Sequence, residues 1–366
     1  MTIHQGKVHE YLGIKLDYCN EGKVKIDMTD YLKKILNDLP SKYQGRAITP
    51  AAKHLFEVNN ATRKLSEKDA QAFHTTVEKL LFLCKRERPD ILTGVAFLTI
   101  RVREPYEDDD KKLSKILKYL IRTRDLVLTL ESDDTGRVKC WVDAEFAVHH
   151  DMKSHKCGMI SMGRGALYST SNKQKLNTKS STKAELVGVY DLMPQILWMR
   201  YFLEAQSMKV SDNIVYQDNQ SAMKLEKNGR VSSGKQTRHI NINYFFVTDH
   251  IQANEMKVEY CPMEIMIVEF YMKPLQGKLF RLFRNLILNL REEDIRNITL
   301  SDKLTQMETK TEDADRAIAA ESAQECVGEN KAGSLNTGNR DVGSDDIKQT
   351  METREIIESV KPDLLS

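Results

Sequence analysis

Residues 138–147 read VKCWVDAEFA, and the acid in the middle of that run, Asp143, decides how the chain is read. The alternation of apolar and polar residues is that of a half-buried strand. Asp143 lies between hydrophobic residues, where a strand would otherwise bury it. Two further acids sit in equally definite settings. SSTKAELVGV (180–189) is a Ser/Thr-rich entry into a long apolar-periodic stretch, which places Glu185 in the first turns of a helix. In IVYQDNQSAM (214–223), Asp218 stands where a short apolar strand gives way to a helix. Carboxylates on separate rigid elements can converge on one point. Such a cluster is stable mainly when a divalent cation neutralises it, and a two-metal phosphodiester-cleaving site is built that way.

WVDAEFA (141–147) is followed in order by YSTSNKQKLNTKSSTKAELVGV (168–189), YQDNQSA (216–222), TRHINI and YFFV (237–242, 244–247), VEYCP (258–262) and KPLQG (273–277). Together these motifs resemble the ribonuclease H domain of copia-type retrotransposon polyproteins, from about Lys139 to about Leu290. The resemblance implies an endonuclease that cuts the RNA strand of an RNA–DNA hybrid with Mg2+, or Mn2+ as an alternative ion. It implies that Asp143 bridges two ions while Glu185 and Asp218 each take mainly one. The family's fourth acid, normally Asp, falls on Glu269 in CPMEIMIVEFYMKPLQG (261–277), with Glu264 about one turn too early. One extra methylene at Glu269 makes an attenuated enzyme the expectation, while Lys183, where the family carries an acid, and the divergent tail favour decay. The alternative is a decayed relic that at most binds nucleic acid.

For the hybrid, Lys173, Lys175 and Lys179 precede Glu185. With Ser180, Ser181 and Thr182 they are candidate phosphate contacts at a helix N-terminus. Asn219 and Gln220 adjoin Asp218 and are candidates for the minor groove, where 2′-hydroxyls mark RNA. His239, in SSGKQTRH (232–239), is a candidate auxiliary for product release or proton transfer.

Ahead of this region, VHEYLGIKLDY and KVKIDM read as two strands around the turn CNEG, followed by a helix in TDYLKKILNDL. Ser66 reads as the N-cap of a helix ended by Pro89. Asp90 reads as the cap of the next helix, and Asp108–Asp110 open a third. YLGI (11–14), KLLFLCKRERPDILTGVAFL (79–98) and KILKYLIRTRDLVL (115–128) resemble the end of the reverse-transcriptase palm and the connecting segment of the same polyproteins. The family's polymerase aspartates lie upstream of YLGI, so no DNA polymerisation is expected. From residue 124, LVLTLE, the turn SDDTG and RVKCWVDAEFA read as a hairpin. A long helix over 181–206 is expected to kink at Pro194.

The expected fold is α/β: a ribonuclease H-like five-stranded mixed sheet with flanking helices, preceded by a small β-ribbon and a helical reverse-transcriptase remnant. The corresponding boundaries are 1–123, 124–291 and an acidic, disordered tail over 292–366. That tail carries 9 basic and 18 acidic residues, leaving the first 291 residues with a net charge of +11, which suits a polyanionic partner. Six cysteines without CxxC spacing fit a reducing compartment rather than a disulfide framework. With no signal-peptide pattern and no membrane-spanning run, the expected location is intracellular, cytoplasmic or nuclear. His149, His150, His155 and Cys157 match no zinc spacing and read as a polar turn.

Overall fold

The computed structural model describes residues 5–228 and 246–298. Met1–Ile295 form one compact unit and Arg296–Ser366 another. The expected disorder of the tail therefore falls mostly outside the described residues. Residues 292–298, read as the start of that tail, are helical.

The first of the two sheets among the described residues has the order β1-β2-β3-β4-β7 and is antiparallel throughout. Its strands are β1 (Val8–Tyr11), β2 (Ile14–Asp17), β3 (Lys23–Asp27), β4 (Leu128–Ser132) and β7 (Gly163–Arg164). The run expected as one strand, VHEYLGIKLDY, is thus two. Leu12 and Gly13, both at positive φ, form the two-residue turn between them, the geometry that matches strand twist in a hairpin. The expected hairpin of LVLTLE with RVKCWVDAEFA does not form. The second run is β5 (Arg137–Glu145), and both its edges are taken by other strands. β4 turns away and completes the first sheet instead.

The second sheet has the order β10-β9-β5-β6-β8. β5, β6 (His155–Ser161) and β8 (Tyr168–Lys173) are antiparallel. β9 (Asp212–Gln217) runs parallel to β5, and β10 (Lys257–Tyr260) parallel to β9. Three antiparallel strands followed by helix, strand, helix and strand make this a ribonuclease H-like sheet. α5 (Ser181–Ala205) runs through Pro194 as a single element and covers one face. Gly188 faces Val142 and Ala144 of β5, where an added Cβ would make ordinary contacts of 3.4 and 3.5 Å. Val138, Cys140, Val142, Val189, Leu192 and Ile196 form the core between helix and sheet.

The opposite face is covered by the N-terminal helices. α2 (Glu67–Cys84) begins at Ser66, whose hydroxyl accepts from the Asp69 amide as expected of an N-cap. α3 (Leu92–Arg101) is buried from Leu92 through Leu98, as a helix enclosed on all sides must be. It lies between α2, α4 (Glu107–Arg122) and β8. Thr93 Oγ1 donates to the Phe270 carbonyl, 3.1 Å, tying the helical unit to the segment that carries Glu269. Asp90 does not cap α3. Its carboxylate is held by buried Arg88 at 2.7 and 2.9 Å and by the Tyr119 hydroxyl at 2.6 Å, and a buried guanidinium is the stronger partner.

Glu87 fastens α1 (Thr29–Asn37) to this unit by accepting from the Met28 amide at 2.8 Å. Burial pushes its carboxyl up to about 8, from an ordinary value of 4.5. The native state therefore holds a proton that the unfolded chain has lost between those two values, and stability falls as pH rises through that window. Glu87→Gln should flatten the decline. Urea midpoints of parent and variant between pH 5 and 8.5 test this, and parallel curves would refute it.

Candidate metal and nucleic-acid site

Asp143 lies near the end of β5, opposite Cys157 of β6. Asp218 follows the last residue of β9, and the parallel register that pairs Trp141 with Tyr216 brings it alongside Asp143 two residues later. Glu185 comes from the start of α5, whose N-cap Ser180 accepts from the Lys183 amide at 3.3 Å. The three side chains each offer an oxygen, and these atoms lie within 4.8 Å of one another. Asp143 and Glu185 are buried and Asp218 is half-buried.

Burial, with the charges of Glu269 and Asp218, pushes Asp143 up to about 7. Burial and the neighbouring Asp143 hold Glu185 well above the carboxylate range. Asp218 is also raised, mainly by burial. Like charges crowded in low dielectric cannot all ionise unaided. Glu185 Oε2 is buried with no hydrogen-bond partner. An all-oxygen donor set with an orphaned carboxylate oxygen fits a hard divalent cation such as Mg2+ or Mn2+.

Glu269 opens the short helix α7 (Glu269–Met272), buried and close enough to act on Asp143 electrostatically. It lies outside the group of three and pairs instead with Lys273 Nζ at 3.1 Å. Lys273 escaped the sequence reading, although its i,i+4 spacing from Glu269 on a helix was a usable signal. Burial opposes its charge, but Glu269, Glu145 and Asp143 hold its ammonium above the usual range. Several contacts fix α7. Cys157 Sγ donates to the Val268 carbonyl, 3.5 Å, Ser171 Oγ to the Tyr271 carbonyl, 2.9 Å, and Ser169 Oγ to the Tyr271 hydroxyl, 2.8 Å. Glu264 is exposed on a separate turn.

The candidate nucleic-acid residues flank the cluster on two sides. Lys173 ends β8 and pairs with Asp151 at 2.7 Å. Lys175 and Lys179 are exposed in the loop leading to Ser180, Ser181 and Thr182. On the other side, Asn219 Oδ1 accepts from the Ala222 amide at 3.1 Å, starting α6 (Gln220–Asn228), and Gln220 is exposed. His239 lies outside the described residues. The His/Cys cluster does not converge on a metal: His149 and His155 bond to each other, while Cys157 faces the Asp143 and Val268 carbonyls.

No protein-family model matches the chain. Several retrotransposon proteins do, two of them as follows. The retrovirus-related Pol polyprotein from transposon TNT 1-94 of Nicotiana tabacum is 25% identical over 69% of this chain. The putative transposon Ty5-1 protein of Saccharomyces cerevisiae is 27% identical over 52% of it. The chain is related to retrotransposon Pol polyproteins. It spans 19% of the tobacco polyprotein and 62% of the yeast protein. Among solved structures, a ribonuclease H1 from the halophilic archaeon Halobacterium salinarum matches with 9% identity and a TM-score of 0.25, over 37% of this chain and 91% of that one. Among the described residues, no helix is long and apolar enough to cross a membrane.

If the cluster holds a divalent cation, Mg2+ should raise the unfolding temperature of the parent chain near pH 7.5. A gain of about 1–3 kcal/mol, or several degrees, is expected at ion concentrations well above the dissociation constant. Asp143→Asn should abolish that response while raising stability in metal-free buffer, because it removes one of the mutually repelling groups. A parent chain indifferent to Mg2+ in differential scanning calorimetry would exclude a metal site.

Proposed function

We propose that this chain is a ribonuclease H endonuclease, cleaving the RNA strand of an RNA–DNA hybrid by metal-assisted phosphodiester hydrolysis. The observation that carries the reading is the convergence of Asp143, Glu185 and Asp218 from β5, α5 and β9 on one point. Asp143, Glu185 and Asp218 would hold the metal, with Glu269, whose charge bears on Asp143, as the fourth acid beside them. When bound, the metal supplies charge stabilisation at the scissile phosphate and acidifies a water.

The chain's own residues do the positioning. Lys175 and Lys179, on the exposed loop before α5, attract the phosphate backbone toward Glu185. Ser181 and Thr182 present hydroxyls beside the free amides of the helix N-terminus, where phosphate oxygens are favoured. Asn219 and Gln220 face the same substrate from the Asp218 side. The Asn219 side-chain oxygen is committed to its cap, which leaves the amide NH2 to donate to a 2′-hydroxyl.

The Glu269–Lys273 pair favours an attenuated site over a fully competent one. Lys273 neutralises Glu269 at the edge of the cluster, so recruiting Glu269 to an ion means breaking that contact. A reacting group misplaced by about 1 Å costs on the order of a hundredfold in rate.

Purified chain, incubated with an end-labelled RNA–DNA hybrid and Mg2+, should cut the RNA strand slowly. Asp143→Asn should abolish cutting, and Glu269→Asp should accelerate it. An unchanged rate in Glu269→Asp would show that the fourth acid is not limiting. Absence of any cleavage by the parent would leave a protein that at most binds nucleic acid.

A further inference from the structure

Beside the carboxylate site, a cavity of about 190 Å³ opens between the N-terminal helical unit and the end of the second sheet. Phe56, Val58, Phe97 and Ile100 wall it, His149 lines it, and Lys173 stands among its lining residues. Phe56 is the central wall. Its ring meets Phe97 edge-on at 5.8 Å, His149 edge-on at 5.6 Å, and His155 at 5.3 Å.

The hydrogen-bond pattern assigns the protons on both imidazoles. Ser171 Oγ donates its single proton to the Tyr271 carbonyl at 2.9 Å. Its contact with His155 Nε2, 2.8 Å, must therefore be donated by the imidazole. His155 Nδ1 is then the acceptor, and His149 Nε2, 3.0 Å away, must carry the proton between them. That leaves His149 Nδ1 as a bare lone pair. No hydrogen bond to it occurs among the described residues, although His149 is only 6% exposed. Burial, together with the charge of Lys173, pulls His149 down to about 4, and burial first, then His149, pulls His155 down to about 3. Both rings are neutral at physiological pH, so this proton arrangement holds there.

The cavity thus combines aromatic walls, the fixed acceptor of His149 and the Lys173–Asp151 ion pair, with Arg101 also in its lining. It is too small for a drug-sized ligand and suits a single flat ring system bearing an N–H. We propose that it receives an unpaired nucleobase, which donates an N–H to His149 Nδ1 and packs against Phe56 and Phe97 while Lys173 exchanges its Asp151 partner for the attached phosphate. The choice of a nucleobase among N–H-bearing rings rests on the ribonuclease H reading. His155 pairs with both Glu145 and Lys173, and Glu145 is two residues beyond Asp143. The cavity is therefore roughly 12 Å from the carboxylates, two strand spacings across and two residues along. A single strand leaving the site reaches it within a few nucleotides. Every nucleobase can offer an N–H, so the pocket selects for an unpaired base rather than for one sequence. The preferred substrate would then be a hybrid with a single-stranded extension.

The test is a titration of the whole chain, labelled with 15N-histidine, in metal-free buffer. The probes are the four ribonucleoside 5′-monophosphates, with ribose 5-phosphate as the base-free control. The Nδ1 resonance of His149, assigned by its loss in His149→Phe, should move upfield with the nucleotides as its lone pair accepts a hydrogen bond. Nucleotides should bind at least about tenfold more tightly than ribose 5-phosphate, and Phe56→Ala should weaken them about tenfold or more. Equal perturbation by ribose 5-phosphate would make this a phosphate site and overturn the proposal, as would no perturbation at millimolar nucleotide. The spectral readout needs only the parent chain, so a poorly folding variant does not spoil it. Because metal and cleavage play no part, a chain that cuts hybrid but ignores nucleotides refutes the pocket alone. A chain that binds nucleotides without cutting refutes catalysis alone.

Discussion

Mutual repulsion among Asp143, Glu185 and Asp218 is the constraint around which this molecule is arranged. Oxygens of three acids lie within 4.8 Å in a largely buried setting, and nothing in the local sequence favours such an arrangement energetically. Packing elsewhere has to impose it. β5 is central in its sheet, pinned by β6 on one edge and β9 on the other, so Asp143 cannot swing away. α5 is drawn onto the sheet by the core around Val189, Leu192 and Ile196, which carries Glu185 in. The apolar core holds the acids in a geometry that they would not choose, as expected of a site built for a cation.

The same logic extends to the helices from the N-terminal part of the chain. α3 packs against β8, and Thr93 reaches the Phe270 carbonyl. The segment bearing Glu269 is therefore clamped between the sheet and the helical unit. It is a four-residue helix with few bonds of its own, and its position is determined by Cys157, Ser169, Ser171 and Thr93. The N-terminal helices thus act as a wall for the second sheet, and α3 and the turn before α2 supply Phe97 and Phe56 to the cavity beside it.

Much of this was readable from the sequence, for identifiable reasons. Asp143, Glu185 and Asp218 each carry a local signature: an acid within an apolar alternation, a Ser/Thr-capped helix start, and a strand-to-helix junction. Ser66 as an N-cap is equally local, and the structure has it. The failures are long-range. SDDTG looks like a hairpin turn, but whether its flanks pair depends on β9 claiming the free edge of β5 some 75 residues later, a competition that no short window contains. Asp90 looks like a cap until Arg88 and Tyr119 compete for it, the latter 29 residues away. Leu12 carries no turn signal at all, and only the pairing of β1 with β2 forces it to positive φ. Lys273, just past a four-residue helix, has the sequence setting of a solvated lysine, and its significance depends on the acids that surround it.

The first sheet has a consequence for how the chain is made. β3 is complete at Asp27, but the strand that covers its edge, β4, begins at Leu128. At about 5–20 residues per second of synthesis, that edge waits on the order of 5–20 s for its partner. All four N-terminal helices emerge during the interval. An open strand edge recruits whatever extended chain it meets, and β3 alternates Lys23 and Lys25 with apolar residues along its length. Lysines on an open edge discourage such pairing, and Lys23 and Lys25 stand where they would keep a half-built sheet soluble until its missing neighbour arrives.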